Sequence, residues 1–209
     1  GRMPHSAAPK DQARNEYRRR RRELPSAAPL EAGRALASRA FTVIPRLVSP
    51  AATVAAYLSA GREPDTGPLL AELHARGYDV VVPVCEPDRR LSWCRWTPGS
   101  RLVPGLFPSV PEPAGPRLQV QDLPNLELLL IPALAVDARG MRMGKGGGYY
   151  DRFLAGFRAA GNSAPAVGVV YDEEFAPAGS WMSDSLDQPA DAVLTPSQWT
   201  ALPLEPVYS

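Results

Sequence analysis

The run LELLLIP at residues 126–132, with the segment ALAVDARGMRMGKGGGYYD at residues 133–151 that follows it, decides the fold. Apolar side chains at four consecutive positions, 128–131, put hydrocarbon on both faces of an extended chain. That is the pattern of a strand covered on both sides, as in parallel sheets. Glycines 144, 146, 147 and 148 then break any regular structure, and residues 149–160 resume with helical spacing. Strand, glycine loop and helix in that order form half of a βαβ unit, whose ligands collect at the carboxyl end of the strand.

Outward from this centre the alternation continues. Residues 53–58 (TVAAYL), 79–84 (DVVVPV), 91–96 and 166–171 predict strands, and residues 191–195 predict the last one. Residues 11–23, 30–43 and 66–76 predict helices. Residues 97–124, rich in Pro and Gly, predict loop. Alternating strands and helices imply an α/β fold, a Rossmann-like and mostly parallel sheet with helices on both faces. The loops after Leu58, Ile131 and Tyr171 are then the places to look for a site. Residues 1–9 predict a tail and residues 10–209 a single domain.

Composition narrows the function. The 209 residues are 44% apolar and 22% charged, with a net charge of +1, so no global field draws the chain to nucleic acid. No apolar run of about 18 residues predicts a membrane span, and no apolar stretch near residue 1 predicts a signal peptide. Cys85 and Cys94 are too few for a disulfide framework and, like His5 and His74, predict structural roles in a reduced, cytoplasmic setting. Charge is uneven, because residues 18–22 are five arginines in a row. That run predicts a solvated helix face. Lys10, Arg14 and Arg18 recur at helical spacing and line positive charge along one side.

The glycine loop suits a polyanion. Glycines let the backbone approach closely, their amides form an anion nest, and the helix that follows adds its positive end. Arg142 and Lys145 supply full charges beside it. The loop is neither standard fingerprint: Lys145 is followed by Gly146 where a P-loop needs Ser or Thr, and Tyr149 stands where a dinucleotide motif needs glycine. On glycine content alone, a flexible turn is the alternative.

The stretch GMRMGKGGGYYDRFL, with LELLLIPALAVD before it, resembles the glycine-rich signature of the 5-formyltetrahydrofolate cyclo-ligases, also called methenyltetrahydrofolate synthetases. KDQAR at residues 10–14 is similar to that family's N-terminal motif, and LSAGREPDT at 58–66, VVVPVCEP, Glu112-Pro113 and DQPAD at 187–191 follow in order. The resemblance covers residues 10–195. It implies a fold shared with sugar-phosphate isomerases and CoA transferases. It also implies ATP bound by Lys10, Arg14, Arg142, Met143, Gly144, Lys145, Gly146, Gly147, Gly148, Tyr149 and Tyr150. The folate would be held by Arg14, Leu58, Glu63 and residues 145–149, and Mg²⁺ by Asp151 and Asp187. Arg142, Lys145 and Glu63 would be the catalytic groups, in a monomer. The chain departs from the family pattern at Lys145, where many members have arginine, at Leu186, where bacterial relatives often have histidine, and at Pro64.

The implied reaction closes the ring of 5-formyltetrahydrofolate to 5,10-methenyltetrahydrofolate through a phosphorylated formyl oxygen, with ATP going to ADP and phosphate. The chain's only two lysines, Lys10 and Lys145, both fall in the implied phosphate motifs. Plainer roles stay open: Lys10 as a surface charge, Asp151 as a partner of the helix dipole, Asp187 as a turn cap, Glu63 as a loop carboxylate and Asp137 as a strand terminator. Tyr149, Tyr150, Trp93, Trp96 and Phe107 offer flat faces for a pterin, with core packing as the alternative. A non-catalytic folate- or nucleotide-binding module, or an isomerase or CoA transferase needing no ATP, are the competing functions.

Overall fold

In the computed structural model residues 7–204 are described, so His5 and residues 1–6 of the expected tail lie outside them. Helix α1 (Lys10–Arg22) comes first, then α2 (Ala28–Ala40) and the single turn α3 (Ile44–Leu47). Strand β1 (Thr53–Ala55), α4 (Gly67–Ala75), β2 (Asp79–Glu86) and β3 (Arg90–Arg95) follow. A hairpin of β4 (Leu102–Pro104) and β5 (Pro111–Pro113) precedes β6 (Leu126–Pro132), β7 (Ala135–Asp137), β8 (Arg142–Met143) and α5 (Tyr149–Ala159). Strands β9 (Ala166–Val169), β10 (Phe175–Ala176), β11 (Ala192–Leu194) and β12 (Trp199–Ala201) complete the order.

The main sheet runs β12-β11-β9-β6-β1-β2-β3. Its five inner strands are parallel, and both edge strands are antiparallel to their neighbours. Strand β6 lies at the centre and feeds both cores through the two-residue alternation of a strand. Leu128 and Leu130 pack with Leu36 of α2 and Leu69, Leu70 and Leu73 of α4 on one face. Leu129 and Ile131 pack with Leu154 and Phe157 of α5 on the other. Each such buried side chain contributes about 1.5–3 kcal/mol, so this seven-residue strand carries a large share of the stability.

Local chemistry sets the element ends. Helix α2 buries Ala32, Gly33, Leu36, Ala37 and Ala40 on one stripe. It stops at Ala40, short of the expected residue 43, because the Thr42 hydroxyl bonds back to the Arg39 carbonyl and Pro45 restarts the chain as α3. Strand β1 ends at Ala55, not 58. There the chain folds into a loop closed by reciprocal Ser59–Thr66 bonds and by the Thr66 hydroxyl on the Tyr57 carbonyl, 2.6 Å away. Residues 97–124 are not all loop, since they carry the β4–β5 hairpin and a bridge from Leu118 to Trp93. Nor are residues 191–195 the last strand: β12 turns back along β11.

A second, three-stranded sheet, β10-β7-β8, lies under α1. Ala13 and Tyr17 pack on Leu134, Ala135, Met143, Ala176 and Trp181. Ala8 forms a bridge with Trp181, so the chain just before α1 is held as well. The reading of residues 18–22 as a solvated face fails at Arg21. Its side chain is 6% exposed and pairs with Glu174, itself 5% exposed, at 2.8 Å. A second guanidinium nitrogen donates to the Ala133 carbonyl at 2.7 Å. Full pairing of this kind is what makes a buried charge tolerable. Arg19, Arg20 and Arg22 do face solvent.

Candidate active site

One cavity of about 890 Å³ opens at the carboxyl ends of β1, β2 and β6. The loop after β1 supplies Tyr57, Leu58, Ala60 and Glu63, and β2 supplies Pro83 and Cys85. Arg142, Met143, the glycine loop and the first residues of α5 form another wall, and Lys10 and Arg14 of α1 close it with Asp184 and Asp187. The cavity thus brings together every residue that the resemblance named for ATP, the folate and Mg²⁺, but not Trp93, Trp96 or Asp137. Of the three suspected loops, those after β1 and β6 reach the cavity. The loop after Tyr171 does not; its Glu174 anchors α1 through Arg21.

The glycine loop takes a shape that side chains would resist. Gly146 has φ +105° and Gly148 φ +75°, both in the left-handed region. Gly148 is also the N-cap of α5, and no side chain bonds to the helix's first amides there. Those amides are ready donors for an anion. Helix α1 grips the loop by its carbonyls instead: Arg14 Nε donates to Gly144 O at 3.1 Å and Arg18 Nη2 to Lys145 O at 2.6 Å.

Charges in the cavity are paired. Lys145, 53% exposed, lies 3.4 Å from Glu63, which is 7% exposed and also accepts the Ala60 amide at 2.8 Å. Lys10 bonds Asp187 at 2.7 Å and Asp184 at 3.0 Å. Burial alone would lower the Lys10 ammonium, but its bonds to Asp187 and Asp184 outweigh it and raise it. The bond from Lys10 and the Leu186 amide hold Asp184 below its ordinary value. Arg142 is buried and donates to the Pro132 carbonyl at 2.9 Å, with Asp151 3.6 Å away. Burial lowers it, and Asp151 pulls the other way. It stays a guanidinium cation.

A family model described as the 5-formyltetrahydrofolate cyclo-ligase family matches residues 6–196. The chain belongs to that family. It is 35% identical over 170 residues to a 5-formyltetrahydrofolate cyclo-ligase of Mycolicibacterium smegmatis, covering 79% of this chain and 83% of the relative. To the enzyme of that name from Escherichia coli K12 it is 36% identical over 189 residues, covering 87% of this chain and 97% of the relative. The fold matches that of Aquifex aeolicus 5,10-methenyltetrahydrofolate synthetase, solved by NMR, with a TM-score of 0.73 at 24% identity and 96% coverage of both chains.

Within this cyclo-ligase family member some expected roles move. Trp93 is 1% exposed and packs edge-on against Phe153 at 5.2 Å, and Trp96 joins the core under α2 and α4, so neither offers a face to the cavity. Phe107 does, standing edge-on to Tyr149 at 6.0 Å. Asp137 is fully buried and accepts three backbone amides, those of Arg139, Met141 and Gly179, which makes it a turn staple. Cys85 lines the cavity, contrary to a purely structural role, whereas Cys94 is buried. His74 is exposed at the end of α4.

Three participants had no expected role in the sequence reading. Asp184 shares Lys10 with Asp187, and its place three residues before Asp187 was a signal that could have found it. Arg18 reaches the loop from the charged face already noted for α1. The Arg21–Glu174 pair joins residues 153 positions apart, and no local pattern announces it.

Proposed function

We propose that the chain closes 5-formyltetrahydrofolate to 5,10-methenyltetrahydrofolate with ATP, releasing ADP and phosphate. The observation that carries the reading is the single cavity shared by the glycine loop, the α1 cations and the loop bearing Leu58 and Glu63. One half suits a triphosphate and the other a flat, polar heterocycle.

The chemistry follows from a poor leaving group. The formyl oxygen attacks the γ-phosphorus of ATP, and ADP departs. N10 of the folate then attacks the activated carbon and loses its proton, and the C–O bond breaks to release phosphate. Lys10, Arg14, Arg142 and Lys145, with residues 143, 144 and 146–150, hold the nucleotide. Their charges and amides stabilise the moving phosphoryl group, where catalysis is mainly alignment and electrostatics. Arg14, Leu58, Glu63, Lys145 and residues 146–149 hold the folate.

Asp151 and Asp187 fit a Mg²⁺ ion carried in with the nucleotide rather than a protein cage. Among the described residues no group of three His, Cys, Asp or Glu could hold a metal alone. Asp151 Oδ1 accepts the amide of Gln188, the residue after Asp187, at 3.0 Å, and both aspartates line the cavity. Mg²⁺ commonly takes one or two carboxylates and completes its shell with phosphate oxygens and water. Bound there by Asp151 and Asp187, the ion would neutralise phosphate charge, beside the Lys10 ammonium that pairs with Asp187. We place the reaction in the cytoplasm, in keeping with the free thiols of Cys85 and Cys94, and in a monomer.

The test is to mix protein, 5-formyltetrahydrofolate, Mg²⁺ and ATP and follow the near-ultraviolet absorbance of the methenyl product. Product that requires ATP is the expected result. Binding of both ligands without turnover would make the chain a binding module, and turnover of a sugar phosphate or CoA ester without ATP would place it with the other enzymes of this fold.

A further inference from the structure

Among the described residues, four buried side-chain polar atoms have no hydrogen-bond partner: Tyr57 Oη, Trp93 Nε1, Arg142 Nε and Tyr150 Oη. Buried polar groups are almost always bonded, so each exception calls for a cause. Three of the four belong to residues that line the cavity. Arg142 and Tyr150 already stand among the candidate site residues; Tyr57 has had no role.

Tyr57 cannot turn away to find water. It is 4% exposed and packed into the core beneath α2 and α4, and its own carbonyl is pinned by the Thr66 hydroxyl. A phenylalanine would fill the same space without burying an unpaired hydroxyl. Packing therefore explains the ring and leaves the hydroxyl unexplained. Its surroundings suggest what the hydroxyl is for. Glu63 bonds through Oε1 to Ala60 and pairs through the same atom with Lys145, which leaves Oε2 without a partner among the described residues. Tyr57, Tyr150 and Glu63, which carry two phenol hydroxyls, each able to donate or accept, and that carboxylate oxygen, thus line one cavity.

A reduced pterin has a matching edge, since its aminopyrimidinone ring alternates N–H donors with a carbonyl acceptor. We infer that the Tyr57 hydroxyl is a further substrate-binding group, hydrogen-bonding the polar edge of the pterin. The inference rests on reading the cavity as a folate site. Burial raises Tyr57 well above the ordinary tyrosine value, so at neutral pH it keeps its proton and can donate.

The test uses Tyr57→Phe in the full chain. A hydroxyl kept for a ligand burdens the ligand-free protein, so its removal is expected to raise the ligand-free melting temperature by about 2–4 °C. The same change is expected to weaken 5-formyltetrahydrofolate about tenfold, by KM and by calorimetric titration, with the KM for ATP unchanged. Unchanged folate affinity overturns the assignment. A lowered melting temperature overturns it too, because the hydroxyl would then be bonded within the protein. If the wild type binds the folate but makes no product, the proposed reaction fails while the titration still decides the role of Tyr57.

Discussion

Strand β6 and helix α1 both face the cavity, yet they are held there by opposite means. β6 sits mid-sheet with Leu128, Leu129, Leu130 and Ile131 each at 1% exposure or less. α1 keeps only Ala13 and Tyr17 as apolar anchors and is otherwise fastened by charged side chains: Arg21 on Glu174, Arg14 and Arg18 on carbonyls of the glycine loop, and Lys10 on Asp187 and Asp184. One wall is fixed by non-directional burial, the other by directional charged bonds. The first tolerates change in detail but not in polarity. The second is the reverse.

Removing one partner of the buried pair tests the contrast most severely. Arg21→Ala is expected to cost about 3–5 kcal/mol in denaturant unfolding, because Glu174 is left charged and unpaired. Arg21→Met with Glu174→Leu is expected to recover most of that loss. Failure to recover would mean that α1 depends on more than this pair. On the other wall, Leu130→Ala is expected to cost about 2–5 kcal/mol through the cavity it leaves. A cost under 1 kcal/mol would show that β6 is not the keystone its burial implies.

Loop charges should affect turnover and spare the fold. Lys145→Ala is expected to lower kcat by about 10²–10³ with the melting curve little changed, since a half-exposed cation is lost and Glu63 keeps its bond from the Ala60 amide. Normal turnover would remove Lys145 from the mechanism. Lys10→Ala is expected to raise the KM for ATP about tenfold and that for the folate much less. Equal losses would make the lysine a structural clasp.

The smallest effect concerns pH. Lys10 is raised from 10.5, so its contribution is complete below that value and fades as pH climbs through its higher folded value. Asp184 is lowered from 3.8, so its contribution is complete above that value and fades as pH falls through its lower folded value. The melting difference between wild type and Lys10→Met should therefore be flat between these limits and shrink outside them. A difference that varies near neutrality would point to another titrating group.

The same contrast explains what the sequence could reveal. β6 was legible to the residue, because a run of buried aliphatics has one reading, and so was the start of α5, marked by the change from glycines to helical spacing. The glycine loop and its cations announced one wall of the cavity. Strands β8 and β10 were not legible, because two residues carry no periodicity. Nor was β12, whose side chains are half-buried or exposed. Glu174 looked like an ordinary loop residue, since its role depends on Arg21, far away in the chain.

The antiparallel borders of the large sheet have a consequence of their own. An open rim of unpaired amides and carbonyls invites another chain to add on and begin a fibril. Here one rim is a strand of three residues, β12, and the other, β3, already bonds Trp93 to Leu118 in both directions, at 2.9 and 2.7 Å. A fold with seven strands in one sheet thereby offers little template for aggregation at either side.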